Sequence, residues 1–174
     1  MKDRPSFIHE SVFASAAELY RDPFLKDSEK LMLFETLAVF DVARELLGGP
    51  LVITSGRRSE AHQEELRQAG YRAARYSPHV YGAALDVRVP PRLTDYGLAN
   101  LLCAAAQQLR LPRPRLGFEL YRKDPRTRMI AQVIAGTEIY SSTFVHFDFA
   151  YMLRGMIDDV PEEVWNSWRE GVSW

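Results

Sequence analysis

Two short segments of the chain combine histidine with aspartate at spacings that suit metal binding. Residues 77–87 read Ser-Pro-His-Val-Tyr-Gly-Ala-Ala-Leu-Asp-Val and contain His79 and Asp86, while residues 144–149 read Phe-Val-His-Phe-Asp-Phe and contain His146. Zinc takes imidazole nitrogen and carboxylate oxygen, and a catalytic zinc site has three protein ligands and one position open to water. His79, Asp86 and His146 are therefore candidate ligands of one zinc ion.

The first segment is expected to place its aspartate on the polar face of a strand. Side chains alternate between the two faces of a strand, so Asp86, flanked by apolar residues in a strand over about 83–89, points to a cleft or to solvent. Gly82 permits the turn that would bring His79 back beside this strand.

The second segment shows the same alternation. Its apolar residues are expected to fill the core, so His146 and Asp148 share the opposite face. Taken alone, each segment also fits a histidine that is only hydrogen-bonded within the fold. The chain has four histidines, and His9 and His62 have no comparable setting.

The remaining sequence predicts helices packed around strands. Apolar residues at three- and four-residue steps predict a core-facing helix over residues 28–47, with this stripe: Leu31, Phe34, Ala38, Val42 and Leu46. Ser59 is expected to cap a short helix that ends before Gly70, and Thr94 to cap another. Strand candidates lie at 51–54, 83–89, 117–121, 129–135 and 143–149.

This order of elements predicts an α+β fold. We expect a central, mostly antiparallel sheet that carries the metal site, with helices packed on it, including a closing helix after Pro161. Residues 1–28 are expected to be an irregular lead-in and residues 71–78 a loop.

Length and composition narrow the class of protein. A chain of 174 residues with 47% hydrophobic and 26% charged residues is typical of one soluble globular domain, taken here as residues 1–174. The net charge of −1 makes nucleic acid a poor partner. No apolar stretch is long enough for a membrane span, the first residues do not resemble an export signal, and the lone Cys103 excludes an intrachain disulfide.

These motifs resemble those of the zinc peptidases that include D-alanyl-D-alanine carboxypeptidases, vancomycin-resistance dipeptidases, phage L-alanyl-D-glutamate endolysins and the hedgehog signalling domain. The hallmark Ser-x-His-x-x-Gly-x-Ala-x-Asp with a distant His is matched at every element by residues 77–86 and His146. The upstream Ser-Gly-Tyr-Arg turn is matched by residues 55–58, apart from Arg57 in place of Tyr. Residues 139–148 look like the Tyr-Pro-Ser-Ser-Phe-Val-His-x-Asp motif of the murein endopeptidase and DD-carboxypeptidase branch.

The resemblance covers about residues 50–150 and implies a zinc-dependent peptidase acting on bacterial cell-wall peptides. It implies that His79, Asp86 and His146 bind the zinc ion. Zinc in such a site lowers the pKa of a bound water toward about 7 and polarises the scissile carbonyl. By resemblance, Arg58 binds the substrate carbonyl or carboxylate and stabilises developing negative charge; the alternative is one more solvent-exposed arginine.

One departure from the family concerns the general base. Several branches place a glutamate three residues before the last histidine, where this chain has Thr143. Asp148 is the first candidate to replace it, although it could equally orient the ring of His146. Weaker candidates are Glu119, Glu138 and Tyr140. Two alternatives to a cell-wall peptidase therefore stay open: an inactive zinc-containing binding module of the same fold, and a zinc peptidase for other short peptides.

Overall fold

The computed structural model describes residues 6–70, 77–118, 131–134, 137–140, 143–153 and 162–163. Its helices are α1 (Ala16–Leu19), α2 (Phe34–Leu47), α3 (Glu60–Gln68) and α4 (Asp95–Gln108). Its strands are β1 (Phe7–Ile8), β2 (Met32–Leu33), β3 (Ile53–Ser55), β4 (Ala84–Arg88), β5 (Arg115–Phe118), β6 (Ala131–Ile134), β7 (Thr137–Tyr140) and β8 (Phe144–Asp148). Three short 3₁₀ helices span Asp27–Glu29, Pro78–Tyr81 and Ala150–Leu153.

The central sheet has four antiparallel strands in the order β3-β4-β8-β5. β4 and β8 are neighbours although they are far apart in the chain, and Asp86 is the register partner of His146. Two further antiparallel pairs are β1 with β2 and β6 with β7. The predicted α+β class with a mostly antiparallel central sheet is confirmed.

The core lies on one face of this sheet, where helix α4 packs against β8 and against α2. Leu85, Val87, Val145 and Phe147 of the two middle strands are fully buried. Each such side chain contributes about 1.5–3 kcal/mol relative to an exposed one. Because side chains alternate along a strand, the same packing turns Asp86, His146 and Asp148 to the other face.

The helix predicted from residue 28 begins later, at Phe34. Met32 and Leu33 instead pair with β1, and the Leu33 amide donates to the carbonyl of Gly82 (2.8 Å). These two residues therefore form their backbone hydrogen bonds with other segments and not within the helix. The prediction of which side of this helix faces the core was also wrong. Leu46 and Phe34 are each 47% exposed, and the residues that α2 buries are Thr36, Leu37, Val39, Phe40 and Ala43.

Other local predictions are confirmed. The Ser59 hydroxyl accepts from the amide of His62 at the start of α3 (3.1 Å), and the Thr94 hydroxyl accepts from the amide of Gly97 at the start of α4 (3.0 Å). These bonds satisfy amides that a helix leaves unpaired at its N-terminus.

Several predictions lie partly outside the described residues. The strand predicted over 117–121 is β5, which starts two residues earlier; residues 119–121 are among those not described. Of the closing helix after Pro161, only Glu162 and Glu163 are described, and both are helical. β7, β1, β2 and α1 were not predicted, and β1 and α1 lie in the stretch 1–28 that was wrongly expected to be irregular. Within the described ranges, no helix is long and apolar enough to cross a membrane.

Candidate metal centre

The structure brings the three predicted ligands together in one buried cluster. Nε2 of His79 lies 3.1 Å from Oδ1 of Asp86, and Nδ1 of His146 lies 2.9 Å from the same oxygen. The two ring nitrogens are 3.2 Å apart, and all three residues are buried. One donor atom from each residue is therefore available within 4.8 Å of the others.

Each ligand reaches the cluster from a different element. Asp86 and His146 face each other across β4 and β8, because they are register partners on the polar face of the sheet. His79 comes from the 3₁₀ helix Pro78–Tyr81, whose N-terminus is capped by the hydroxyl of Ser77. Gly82 ends that helix in the left-handed conformation, with φ of 69°, as predicted.

We expect Gly82→Ala to destabilise the protein by about 2 kcal/mol or more. A β-carbon there would lie 2.5 Å from the carbonyl oxygen of Leu31 and 2.6 Å from Nη1 of Arg57, and a left-handed alanine is itself strained. Gly49→Ala is the matched control, since its added carbon meets nothing within 4 Å. Urea unfolding of both variants decides; equal losses would contradict the expectation.

In each histidine, one ring nitrogen points away from the cluster, and its hydrogen bond determines which nitrogen carries the proton. Nδ1 of His79 lies 2.7 Å from the carbonyl oxygen of Gly56, which can only accept, so Nδ1 carries a proton. Nε2 of His146 lies 3.0 Å from Oδ2 of Asp148 and donates to it in the same way. Both rings, when neutral, therefore turn a lone pair toward Asp86.

Two nitrogen lone pairs and a carboxylate oxygen thus converge among buried side chains. Such an arrangement repels itself unless a proton or a metal ion lies between the atoms. The set of two imidazoles and one carboxylate is also one that zinc accepts. The residues present therefore fit a metal ion.

Burial and the neighbouring charges shift the ionisation of the three residues in the cluster. Burial lowers the pKa of His79. Burial by itself raises the pKa of Asp86, but the two histidines hold it well below the ordinary value. Burial lowers the pKa of His146, yet its hydrogen bonds to Asp148 and Asp86 outweigh this and raise the pKa to about 9. Positive charge is therefore favoured between the two carboxylates.

Arg58 lies beside the cluster and is held by three partners. Its Nη2 donates to Oδ2 of Asp86 (3.1 Å), its Nε to the hydroxyl of Ser55 (2.9 Å) and its Nη1 to Oε1 of Gln63 (3.1 Å). The Arg58 side chain is only 16% exposed, so it is not one more solvent-exposed arginine. It fixes the Asp86 oxygen that the histidines leave free.

Asp148 stands behind His146, on the side away from Asp86. Its Oδ2 accepts from the His146 ring, and both its oxygens accept from Arg115 on β5. The amide of Ala150 donates to Oδ1 as well (3.0 Å). Burial raises the pKa of Asp148, but His146 and Arg115 outweigh burial and lower it.

Some of these contacts could not be predicted from the sequence. Gln63 and Arg115 belong to segments without a chemical motif, and only tertiary pairing brings them to the site. Of the other proposed bases, Glu119 lies outside the described residues, and Glu138 and Tyr140 belong to β7. Thr143 is exposed just before β8.

Arg57, which stands where the family motif has tyrosine, extends its guanidinium toward Leu31. Its Nη1 lies 3.4 Å from the carbonyl oxygen of Leu31, and its Nε is buried with no partner among the described residues. Burial lowers the pKa of this guanidinium.

Two histidines and one carboxylate with hydrogen-bonded outer atoms are typical of ligand sets in catalytic zinc sites. The family model Peptidase M15 matches residues 10–109, more than half of the chain and including His79 and Asp86. The chain therefore belongs to the peptidase M15 family, the zinc D-alanyl-D-alanine carboxypeptidase family that its motifs resemble. Members of this family are metal-dependent peptidases.

Comparisons with curated proteins and with solved structures give two further findings. No curated protein matches the chain. Among solved structures, the chain is similar to the crystal structure of Serratia marcescens L-Ala D-Glu endopeptidase ChiX, with 19% sequence identity and a TM-score of 0.46. That likeness covers 71% of this chain and 83% of the other. A likeness of this size has no bearing on substrate or mechanism.

Proposed function

We propose that this protein is a zinc-dependent metallopeptidase that hydrolyses peptide bonds in bacterial cell-wall peptides, of DD-carboxypeptidase or murein endopeptidase type. The observation that carries the proposal is the buried cluster of His79, Asp86 and His146 in a member of the peptidase M15 family. In this proposal residues 1–174 form a single peptidase domain.

The metal ion would be held by Nε2 of His79, Oδ1 of Asp86 and Nδ1 of His146. A zinc ion in a site of three protein ligands acidifies a bound water and polarises a substrate carbonyl. The two outer hydrogen bonds, to the carbonyl of Gly56 and to Asp148, keep both rings in the tautomer that offers the inner nitrogen.

Arg58 has two tasks in this proposal. It holds Oδ2 of Asp86, which keeps Oδ1 turned to the histidines. Its positive charge, next to the cluster and partly accessible, also stabilises negative charge that develops on the substrate. Both tasks need the guanidinium in the place where Ser55 and Gln63 hold it.

For Asp148 we favour orientation of His146 over the role of general base. Both of its oxygens already accept hydrogen bonds, and its lowered pKa makes it a poor proton acceptor. The proton of the attacking water must then pass to another group, and the candidates remain Glu119, Glu138 and Tyr140.

We expect the purified protein to contain about one zinc ion per chain and to release products from peptidoglycan that disappear when a chelator is added. Elemental analysis and chromatography of the digest, on carboxypeptidase and endopeptidase substrates, measure the two quantities. A protein without bound metal would contradict the proposal outright.

Thr143, at the position of the usual glutamate, favours a second candidate, the inactive binding module. Stoichiometric zinc without any chelator-sensitive product from peptidoglycan would support this module. Products from D-amino-acid-free peptides alone would instead support a zinc peptidase for other short peptides.

A further inference from the structure

Arg115 forms an ion pair with both carboxylate oxygens of Asp148. Asp148 is not itself a candidate metal ligand. The Nε atom of Arg115 lies 2.9 Å from Oδ1 of Asp148 and its Nη2 lies 3.0 Å from Oδ2. This two-pronged geometry fixes the plane of the carboxylate as well as its position. Arg115 and Asp148 are register partners across β5 and β8, so the sheet itself sets the distance.

The carboxylate that Arg115 holds is deeply buried. The Asp148 side chain is 1% exposed, whereas the Arg115 side chain is 26% exposed. A buried carboxylate needs a compensating charge and hydrogen bonds to every lone pair that water has left. Besides Arg115, Asp148 receives hydrogen bonds from the Ala150 amide and the His146 ring.

The same carboxylate fixes the ring of His146. Its Oδ2 accepts from Nε2, which leaves Nδ1 directed at Asp86. Without the guanidinium, the carboxylate would keep the Ala150 amide and the His146 ring as partners, and it would hold the ring less firmly. The chain of contacts therefore runs from Arg115 through Asp148 and His146 to Asp86.

We propose that Arg115 is a positioning residue of the metal centre, which acts through Asp148 to hold His146 in its ligand orientation. This inference rests on the proposed function, because it takes the cluster as a metal site. It adds β5 to the elements that build the centre, beside β4, β8 and the 3₁₀ helix that carries His79.

The test is the affinity of the metal-free protein for Zn²⁺, measured by competition with a chromophoric chelator, together with the visible spectrum of the Co²⁺ form. Arg115→Met should weaken Zn²⁺ binding by about 10-fold or more, up to the roughly 100-fold limit for loss of a ligand's own outer partner, here Asp148. Arg115→Lys should recover only part of this, because an ammonium cannot bridge both oxygens. Both variants should shift the Co²⁺ spectrum. Arg88→Met, at an exposed arginine of β4, is the matched control and should bind Zn²⁺ as the wild type does.

A double variant separates positioning from general support of the fold. If Arg115 acts through Asp148, then Arg115→Met combined with Asp148→Asn should bind Zn²⁺ about as weakly as Asp148→Asn alone. Losses that multiply would overturn the inference, because Arg115 would then act independently of Asp148.

The remaining outcomes separate a failure of this inference from a failure of the proposed function. Wild-type affinity and an unchanged Co²⁺ spectrum in Arg115→Met would overturn the inference while leaving the proposed function intact. If Arg115→Met does not fold, Arg115→Lys decides by the same criterion, since it keeps a charge beside the buried carboxylate. Absence of Zn²⁺ binding by the wild type itself would instead be a failure of the proposed function.

Discussion

His146→Ala is expected to abolish stoichiometric zinc and, with it, peptidase activity. The cluster supplies three donor atoms, and a site of three protein ligands has none to spare. We expect Zn²⁺ affinity to fall by more than about 100-fold, which is beyond the loss expected for an outer partner such as Asp148. Elemental analysis after dialysis and the peptidoglycan digest measure the two effects.

His62→Ala is the matched control for this change. His62 lies in α3, where its ring is 33% exposed beside Glu65 and outside the metal cluster. Its variant should keep both the zinc and the activity of the wild type. If His146→Ala also kept wild-type zinc content, His146 would not be a ligand and the cluster would have another role.

Arg58→Ala is expected to lower turnover by roughly 10²-fold or more, the scale seen when one donor to a developing oxyanion is lost. Because Nη2 of Arg58 also holds Oδ2 of Asp86, the same change should weaken Zn²⁺ binding. Turnover should therefore be measured with zinc at saturation, so that a loss of metal is not counted as a loss of catalysis.

Two further variants sharpen this test. Arg58→Lys keeps the charge but cannot contact Ser55, Gln63 and Asp86 together, so it should restore only part of the turnover. Arg67→Ala removes an exposed arginine of α3 that pairs with Glu64, and it should be silent. Full turnover of Arg58→Ala at saturating zinc would limit Arg58 to holding Asp86.

Local spacing was enough to predict on which strand face Asp86 and His146 lie, and the family resemblance predicted that they share one site with His79. Alternation along two strands placed Asp86 and His146 on a polar face, and Gly82 indicated the turn that returns His79. These features depend on neighbours a few residues away, which a sequence shows directly. The caps at Ser59 and Thr94 were predictable for the same reason.

Features set by distant pairing were not predictable. The start of α2 depends on a two-residue strand at Phe7–Ile8, whose backbone partners replace the first turn expected for the helix. The role of Arg115 depends on β5 lying beside β8 with Arg115 opposite Asp148. An arginine in a segment without a motif carries no local sign of such a partner.

The neighbouring positions of β4 and β8 also bear on how the protein folds. Asp86 and His146 are 60 residues apart in the chain, so the cluster does not exist until this long loop has closed. Closing it costs chain entropy before any contact between the strands compensates, and such pairings form slowly. An unfolded chain thus does not hold the three candidate ligands together. Zinc would then bind after the sheet has formed, so it would act mainly by slowing unfolding and would not guide the chain to its fold.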